Sequence, residues 1–281
     1  MKHIFILSLL IFFMGCSTSP SLILFSSNES GNSDIYMMSL DGNHREKIIY
    51  TKKEEWGAVF SSPNIIQFLR QDNEVINRYE YNLITKKEKK IAQPKECNLE
   101  DKNIVFSGYG IEAYTCKGAL IVKDRDASVG KNYTKALGGV SNYLAWSFDN
   151  TSIIFTNNAT GNNDVYSLNV RTREITNLTN HPANDERGEI SPNGKLLVFS
   201  SNRGNSSQQD LYILHIETKD IINITNSKGN DLIGRWTKDG LSIIYGSNKS
   251  ENWEIYKYNL VDATTIQLTN NNAFDGDPRI R

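Results

Sequence analysis

The chain has 281 residues, with 31 lysines and arginines against 32 aspartates and glutamates, a balance that gives neither nucleic acid nor an anionic membrane surface a net attraction. Aromatic residues at 10% and hydrophobic residues at 38% suffice for a packed core, and Asn, Ser, Thr and Gly recur every few residues as turns require. Long runs of helical period rich in Ala, Leu and Glu are missing, which excludes a helical bundle and favours many short strands.

The first element is not part of that pattern. Lys2 and His3 precede an apolar run from Ile4 to Met14, followed by Gly15 and Cys16. A bilayer-crossing helix needs roughly 20 apolar residues, more than this run supplies, so the segment has the form of a cleaved secretion signal. Gly15 before Cys16 resembles the lipobox of bacterial lipoproteins, although Phe13 and Met14 stand where that pattern usually has Leu and a small residue. The resemblance implies a signal peptide at 1–15, diacylation of Cys16 and a short tether at 16–20. More than one acyl chain holds a protein stably on a membrane without spanning it. Ser17 after the cysteine, rather than Asp, resembles proteins sorted to the outer membrane, facing the periplasm.

From residue 21 onward the chain repeats itself. Gly188 to Gly204, Leu144 to Gly161 and Gly234 to Ser250 share one layout: a short strand, a polar turn, a β-branched strand ending in an aromatic, and a second turn. Aligning on the closing aromatic of the second strand gives Phe25, Phe68, Tyr114, Phe155, Phe199 and Tyr245, which are 41 to 46 residues apart. The third strand supplies an independent series, Tyr36, Tyr79, Ile121, Tyr166, Tyr212 and Tyr256, mostly within Asp-Ile-Tyr-like triplets. Fourth strands follow at Ile175 to Thr179, Ile221 to Thr225 and Thr265 to Thr269. Four short strands cannot cover both of their own faces, so six such units must stack radially as blades of an all-β six-bladed propeller spanning 21–281.

The first strand of each unit ends on Phe60, Phe106, Trp146, Ile190, Trp236 or Ile280, bulky groups expected to wedge between blades near the axis. Ile280 belongs to a first strand with no second strand after it, whereas residues 22 to 25 form a second strand with no first strand before them. Asp277 to Arg281 is therefore expected to complete the N-terminal blade and close the ring.

The Trp146-Ser147-Phe148-Asp149 and Ser191-Pro192-Asn193-Gly194 turns, the Asp-Ile-Tyr strands and the Leu-Thr-Asn endings resemble the TolB-type propeller repeat, strongly in units four to six and weakly in two and three. The resemblance implies an envelope protein of the periplasm that binds other proteins, without the α/β domain that precedes the propeller in TolB itself. Related repeats occur in the propellers of prolyl-oligopeptidase-type peptidases, but the Gly-x-Ser-x-Gly elbow of their hydrolase domain is missing here.

Candidate chemistry is sparse. His44, His181 and His215 fall in different units, which does not gather a metal site. The Ser-x-Asp turns look like those of sialidases but lack the following Trp, so their Asp and Asn side chains are expected to cap backbone N–H groups. Cys97 and Cys116 would share an oxidising compartment, where either a disulfide or two buried thiols is expected. Five residues before each first-strand anchor stand Glu55, Asp101, Ser141, Asp185, Asp231 and Asp275. Equivalent positions lie on a ring about the axis, so these groups are expected around one channel mouth. They would there brace inter-blade loops, receive a basic segment of a partner, or hold Ca²⁺, with no other cofactor implied. The function expected is a monomeric, non-enzymatic binding module for an envelope protein, its only membrane attachment the lipid. The alternative is a carbohydrate-active or other hydrolase using channel carboxylates.

Overall fold

A computed structural model describes residues 21–94, 97 and 104–281. Cys16 and Asp101 lie outside them. The described residues form six four-stranded antiparallel sheets. Blade 1 has β1 (Leu22–Ser27), β2 (Asp34–Ser39) and β3 (Glu46–Ile49); blade 2 has β4 (Glu55–Ser62), β5 (Ile65–Asp72), β6 (Val75–Asn82) and β7 (Lys87–Ile91). Blade 3 has β8 (Ile104–Phe106), β9 (Glu112–Cys116), β10 (Ala119–Lys123) and β11 (Lys131–Asn132); blade 4 has β12 (Ser141–Trp146), β13 (Ser152–Asn157), β14 (Asp164–Asn169) and β15 (Ile175–Asn177). Blade 5 has β16 (Asp185–Ile190), β17 (Leu196–Ser201), β18 (Asp210–His215) and β19 (Ile221–Asn223). Blade 6 has β20 (Asp231–Trp236), β21 (Ser242–Ser247), β22 (Glu254–Asn259) and β23 (Thr264–Gln267), and the last strand, β24 (Asp275–Ile280), pairs antiparallel with β1 as the innermost strand of blade 1. The ring closes as the sequence predicts, with β24 beginning two residues earlier.

The two aromatic series explain why the sheets form where they do. Phe25 pairs with Tyr36, Phe68 with Tyr79, Phe155 with Tyr166, Phe199 with Tyr212 and Tyr245 with Tyr256, each directly across adjacent strands. All five ring pairs are stacked at 5.5 to 5.9 Å. Such cross-strand aromatic pairs contribute roughly 0.5–1.5 kcal/mol each beyond the area they bury. Tyr114 opposite Ile121 keeps the register in blade 3 with one ring. The core lies between blades: Val198 and Leu211 of blade 5 pack on Trp236 and Ile243 of blade 6, and Ile23 and Met38 of blade 1 on Ile244 and Ile255 of blade 6.

The inner strands share an irregularity. The pairing of β12, β16 and β20 with the next strand slips after their second residue, at Asn142, Glu186 and Leu232, and resumes at the fifth. The third residue takes a positive φ, 54° at Tyr143, 58° at Arg187, 61° at Ile233, 58° at Asp277 and 64° at Gly57. This is a β-bulge in left-handed conformation, unfavourable for a β-branched side chain such as Ile233. Its freed N–H finds a neighbour: Arg187 N donates to Thr156 Oγ1 at 3.1 Å and Ile233 N to Ser200 Oγ at 3.3 Å, both on the preceding blade. Gly188 follows the bulge because a Cβ there would stand 2.5 Å from Val165 Cγ1 of blade 4.

Candidate functional site

The inner strands converge on the axis, and their two ends differ. At the starts stand the residues of the acidic series. Glu55, Ser141, Asp185, Asp231 and Asp275 are all fully buried, which corrects the expectation of side chains around an open mouth. Each is enclosed in its own blade beneath the stacked aromatic pair, and in four blades a cation lies over those rings. Arg70 sits over Phe68 and Tyr79 and donates from Nε to Glu55 Oε1 at 2.7 Å. Arg203 sits over Phe199 and Tyr212 and pairs with Asp185. Arg45 sits over Phe25 and Tyr36 and reaches Asp275 at 3.4 Å, while Asn271 donates to the same carboxylate at 2.8 Å.

Blade 4 tests the logic from within the molecule. Ser141 replaces the acid, and Ala159 stands four residues after Phe155, where Arg203 follows Phe199 and Lys249 follows Tyr245. Acid and cation are absent together, and Ser141 Oγ accepts instead from Asn157 Nδ2 at 3.0 Å. In blade 6, Lys249 Nζ lies 3.9 Å from the Tyr256 ring centroid and donates to Tyr245 Oη at 3.0 Å, and both Asp231 oxygens lack a hydrogen bond of good geometry among the described residues. Burial pushes the Asp231 carboxyl up, offset in part by nearby hydroxyls of Ser247, Thr225 and Ser227. Burial likewise raises Glu55, Asp185 and Asp275 against their cations. Among the described residues no three His, Cys, Asp or Glu side chains converge as a metal would need. The geometry is that of a repeated internal brace.

At the ends of the inner strands the ring opens into a cavity of about 370 Å³. Phe60, Phe106, Trp146, Phe148 and Trp236 give it an aromatic wall running through blades 2, 3, 4 and 6. Arg235 and Lys238 from blade 6, with Arg279 and Arg281 from β24 and the residue after it, form a cationic sector. Four cations thus face one lining carboxylate, Glu189. Glu189 Oε1 accepts from Trp236 N at 2.9 Å and Oε2 from Arg235 Nη1 at 3.2 Å, while its own carbonyl accepts from Trp236 Nε1 at 3.0 Å. Burial pushes the Glu189 carboxyl up and the Arg235 guanidinium down, against their mutual attraction. Among the described residues, Trp146 Nε1 and Arg235 Nε at this wall find no acceptor. Trp236 shows what Trp146 lacks, an acceptor on the neighbouring inner strand.

Nearer the starts of the inner strands lies a second cavity, of about 420 Å³. The bulge residues Tyr143, Arg187, Ile233 and Asp277 line it, with Trp253 and Phe274. Arg187 lies 3.9 Å from the Tyr143 ring centroid and donates to Tyr143 Oη at 2.9 Å. Among the described residues, Asp277 is the carboxylate lining this cavity and Glu189 the one lining the first.

Sequence reasoning placed Phe60, Phe106, Trp146 and Trp236 at the axis but treated them as core, and it passed over Glu189, Arg235 and Arg279, which stand immediately before the anchors Ile190, Trp236 and Ile280. The signal was the residue before each anchor, which carries charge in three units. The Ser-x-Asp turns act as caps: Asp149 Oδ1 accepts from Thr151 N at 3.0 Å and Asp239 Oδ1 from Leu241 N at 3.0 Å. Of the two readings of Cys97 and Cys116, the structure has the disulfide, with Cα atoms 5.7 Å apart. Cys97 lies before β8 and not within the hairpin that Cys116 ends.

No family model matches the chain. The Tol-Pal system protein TolB of Francisella tularensis is 30% identical over 92 residues, 32% of this chain and 20% of that protein. The chain thus aligns with about a fifth of that relative. The crystal structure of TolB from Acinetobacter baumannii superposes with a TM-score of 0.78 at 16% identity, over 93% of this chain and 66% of that one. A putative TolB from Agrobacterium tumefaciens gives 0.68 at 16% identity, over 91% and 89%. At these identities the superpositions establish the fold.

Proposed function

From the premise that the chain carries a TolB-like six-bladed propeller, we propose that it is a protein-binding module of the bacterial cell envelope that docks its partner at the mouth lined by Trp146 and Arg279. The observation that carries this reading is the contrast between a mouth with exposed aromatic surface, clustered cations and orphaned donors and an acidic series closed inside the blades. Aromatic and arginine side chains are the groups that dominate protein interfaces. Diacylated Cys16 tethers the module to the outer membrane through residues 16–20, and the ring faces the periplasm as a monomer. The propeller supplies binding and no catalysis, since neither cavity pairs carboxylates or gathers a nucleophile with a base.

The test is crosslinking in cells that express the full chain, followed by capture and identification of bound proteins. An envelope protein captured by wild type but lost in a Phe106→Ser, Arg279→Glu variant supports the reading. Equal capture by both overturns the mouth as the docking site. Mass spectrometry of the mature N-terminus, with Cys16→Ala as comparison, tests the lipid.

A further inference from the structure

The proposed docking mouth leaves the chemistry of its occupant open, and the orphaned donors narrow it. Trp146 Nε1 and Arg235 Nε stand on opposite sectors of one cavity wall, and neither has an acceptor among the described residues. Arg235 is 4% exposed, so water does not solvate it freely. A buried donor left unmade is costly, and in native structures such a donor usually has a partner, so its unpaired state here calls for an explanation. Both orphans are N–H groups, and the surrounding charge is positive: Arg235, Lys238, Arg279 and Arg281 against Glu189. Glu189 already shows which ligand this wall accepts, because its carboxylate bridges Trp236 N and Arg235 Nη1 from the neighbouring blade. Across the mouth the wall is apolar, and Phe148 is 39% exposed and Tyr109 68% exposed on the turns of blades 4 and 3.

Resting on the docking reading, we propose that the occupant is an acidic peptide segment of the partner protein, with alternating carboxylate and apolar side chains. Its carboxylates meet Arg235, Lys238 and Arg279, and one accepts from Trp146 Nε1. Its apolar side chains lie on Phe60, Phe106 and the Trp146 ring. The overall charge of the chain is near zero, so attraction comes from this local cluster and falls with salt. Arg281 already holds the Pro63 carbonyl at 2.8 Å, which braces the cationic sector against blade 2.

The probe is a fluorescein-labelled hexapeptide, Asp-Leu-Glu-Phe-Asp-Leu, titrated against the full chain by fluorescence anisotropy beside its amide twin, Asn-Leu-Gln-Phe-Asn-Leu. We expect the acidic peptide to bind at least tenfold more tightly than the twin and to weaken as salt rises. Trp146→Phe, which keeps the ring and removes the donor, should weaken it about fivefold with unchanged thermal unfolding. Lys238→Gln with Arg279→Gln should weaken it at least tenfold, and Lys87→Gln on the remote β7 should leave it unchanged. Equal binding of the two peptides overturns the proposal, as does insensitivity to both mouth variants. Displacement by glutarate at the same concentration as by unlabelled peptide overturns it in favour of a small-acid site. Mouth-dependent capture of an envelope protein that the acidic hexapeptide does not compete away removes this inference while leaving the docking reading intact.

Discussion

The two ends of the inner strands obey different rules. At their starts the same device recurs in blades 1, 2, 5 and 6: an aromatic pair, a cation over it, and an acid beneath, and blade 4, which lacks the acid, lacks the cation too. At their ends the groups change around the ring: blades 2 and 3 present Phe60 and Phe106, blades 4 and 6 present Trp146 and Trp236, the cations come from blade 6 and β24, and aromatic and cationic sectors face each other across a cavity. Regularity therefore marks the scaffold, where every blade has the same neighbour to satisfy, and departure from it marks the surface that meets something outside the repeat.

That contrast can be broken most forcefully by Asp185→Ala, which leaves the Arg203 guanidinium, 11% exposed, without its buried partner. Loss of one member of a buried pair costs about 3–5 kcal/mol, and chemical denaturation should show a loss of that order with peptide binding by the surviving folded protein unchanged. Reduction, or Cys97→Ser with Cys116→Ser, opens a loop with a sequence separation of 19, worth about 3 kcal/mol in the chain-entropy picture. The same unfolding assay with and without reductant measures it.

A pH series sharpens the comparison. Carboxyls raised by burial bind their proton more tightly folded than unfolded. Their contribution is full below the unfolded value of about 4 and is lost as pH rises through the folded value. Stability should then increase as pH falls through their raised folded values toward about 4. Below about 4 it should decline as Asp72, held down to about 2 by Lys53 and Tyr79, and Asp239, lowered by Thr237, take up protons. Asp231→Asn removes a buried acid that, among the described residues, has neither oxygen in a hydrogen bond. It should stabilise at pH 7 by about 1 kcal/mol and have no effect near pH 4, read as thermal midpoints. The smallest change in stability belongs to Lys238→Gln, within about 0.5 kcal/mol as for other surface positions, although it alters the mouth. A cost as large as that of Asp185→Ala would erase the distinction between the two ends.

The blade count, the strand pairing and the closure were legible because each rests on residues that repeat: Phe199 must oppose Tyr212 for the same reason that Phe155 opposes Tyr166. The position of the acidic series was legible too, but its exposure was not. Asp185 looks like a solvated carboxylate until Arg203, 18 residues on, is seen to fold over Phe199 and reach back to it. The mouth was hidden for the opposite reason, since the position before each anchor carries charge only as Glu189, Arg235 and Arg279 and reads as core at Val59, Val105 and Ala145. The bulge was hidden because a left-handed Ile233 contradicts local preference, and the hydroxyl of Ser200 on the preceding blade takes up its N–H.

The pairing of β24 with β1 has a consequence for how the protein comes apart. Ser27 opposite Asp275 and Ile23 opposite Ile280 join the most distant parts of the propeller, and the same strand carries Arg279 into the mouth. Detaching it opens the ring and dismantles the cationic sector in one step. Under the proposed docking, an occupant that grips Arg279 also holds that seam shut, and a half-unravelled ring loses its docking mouth.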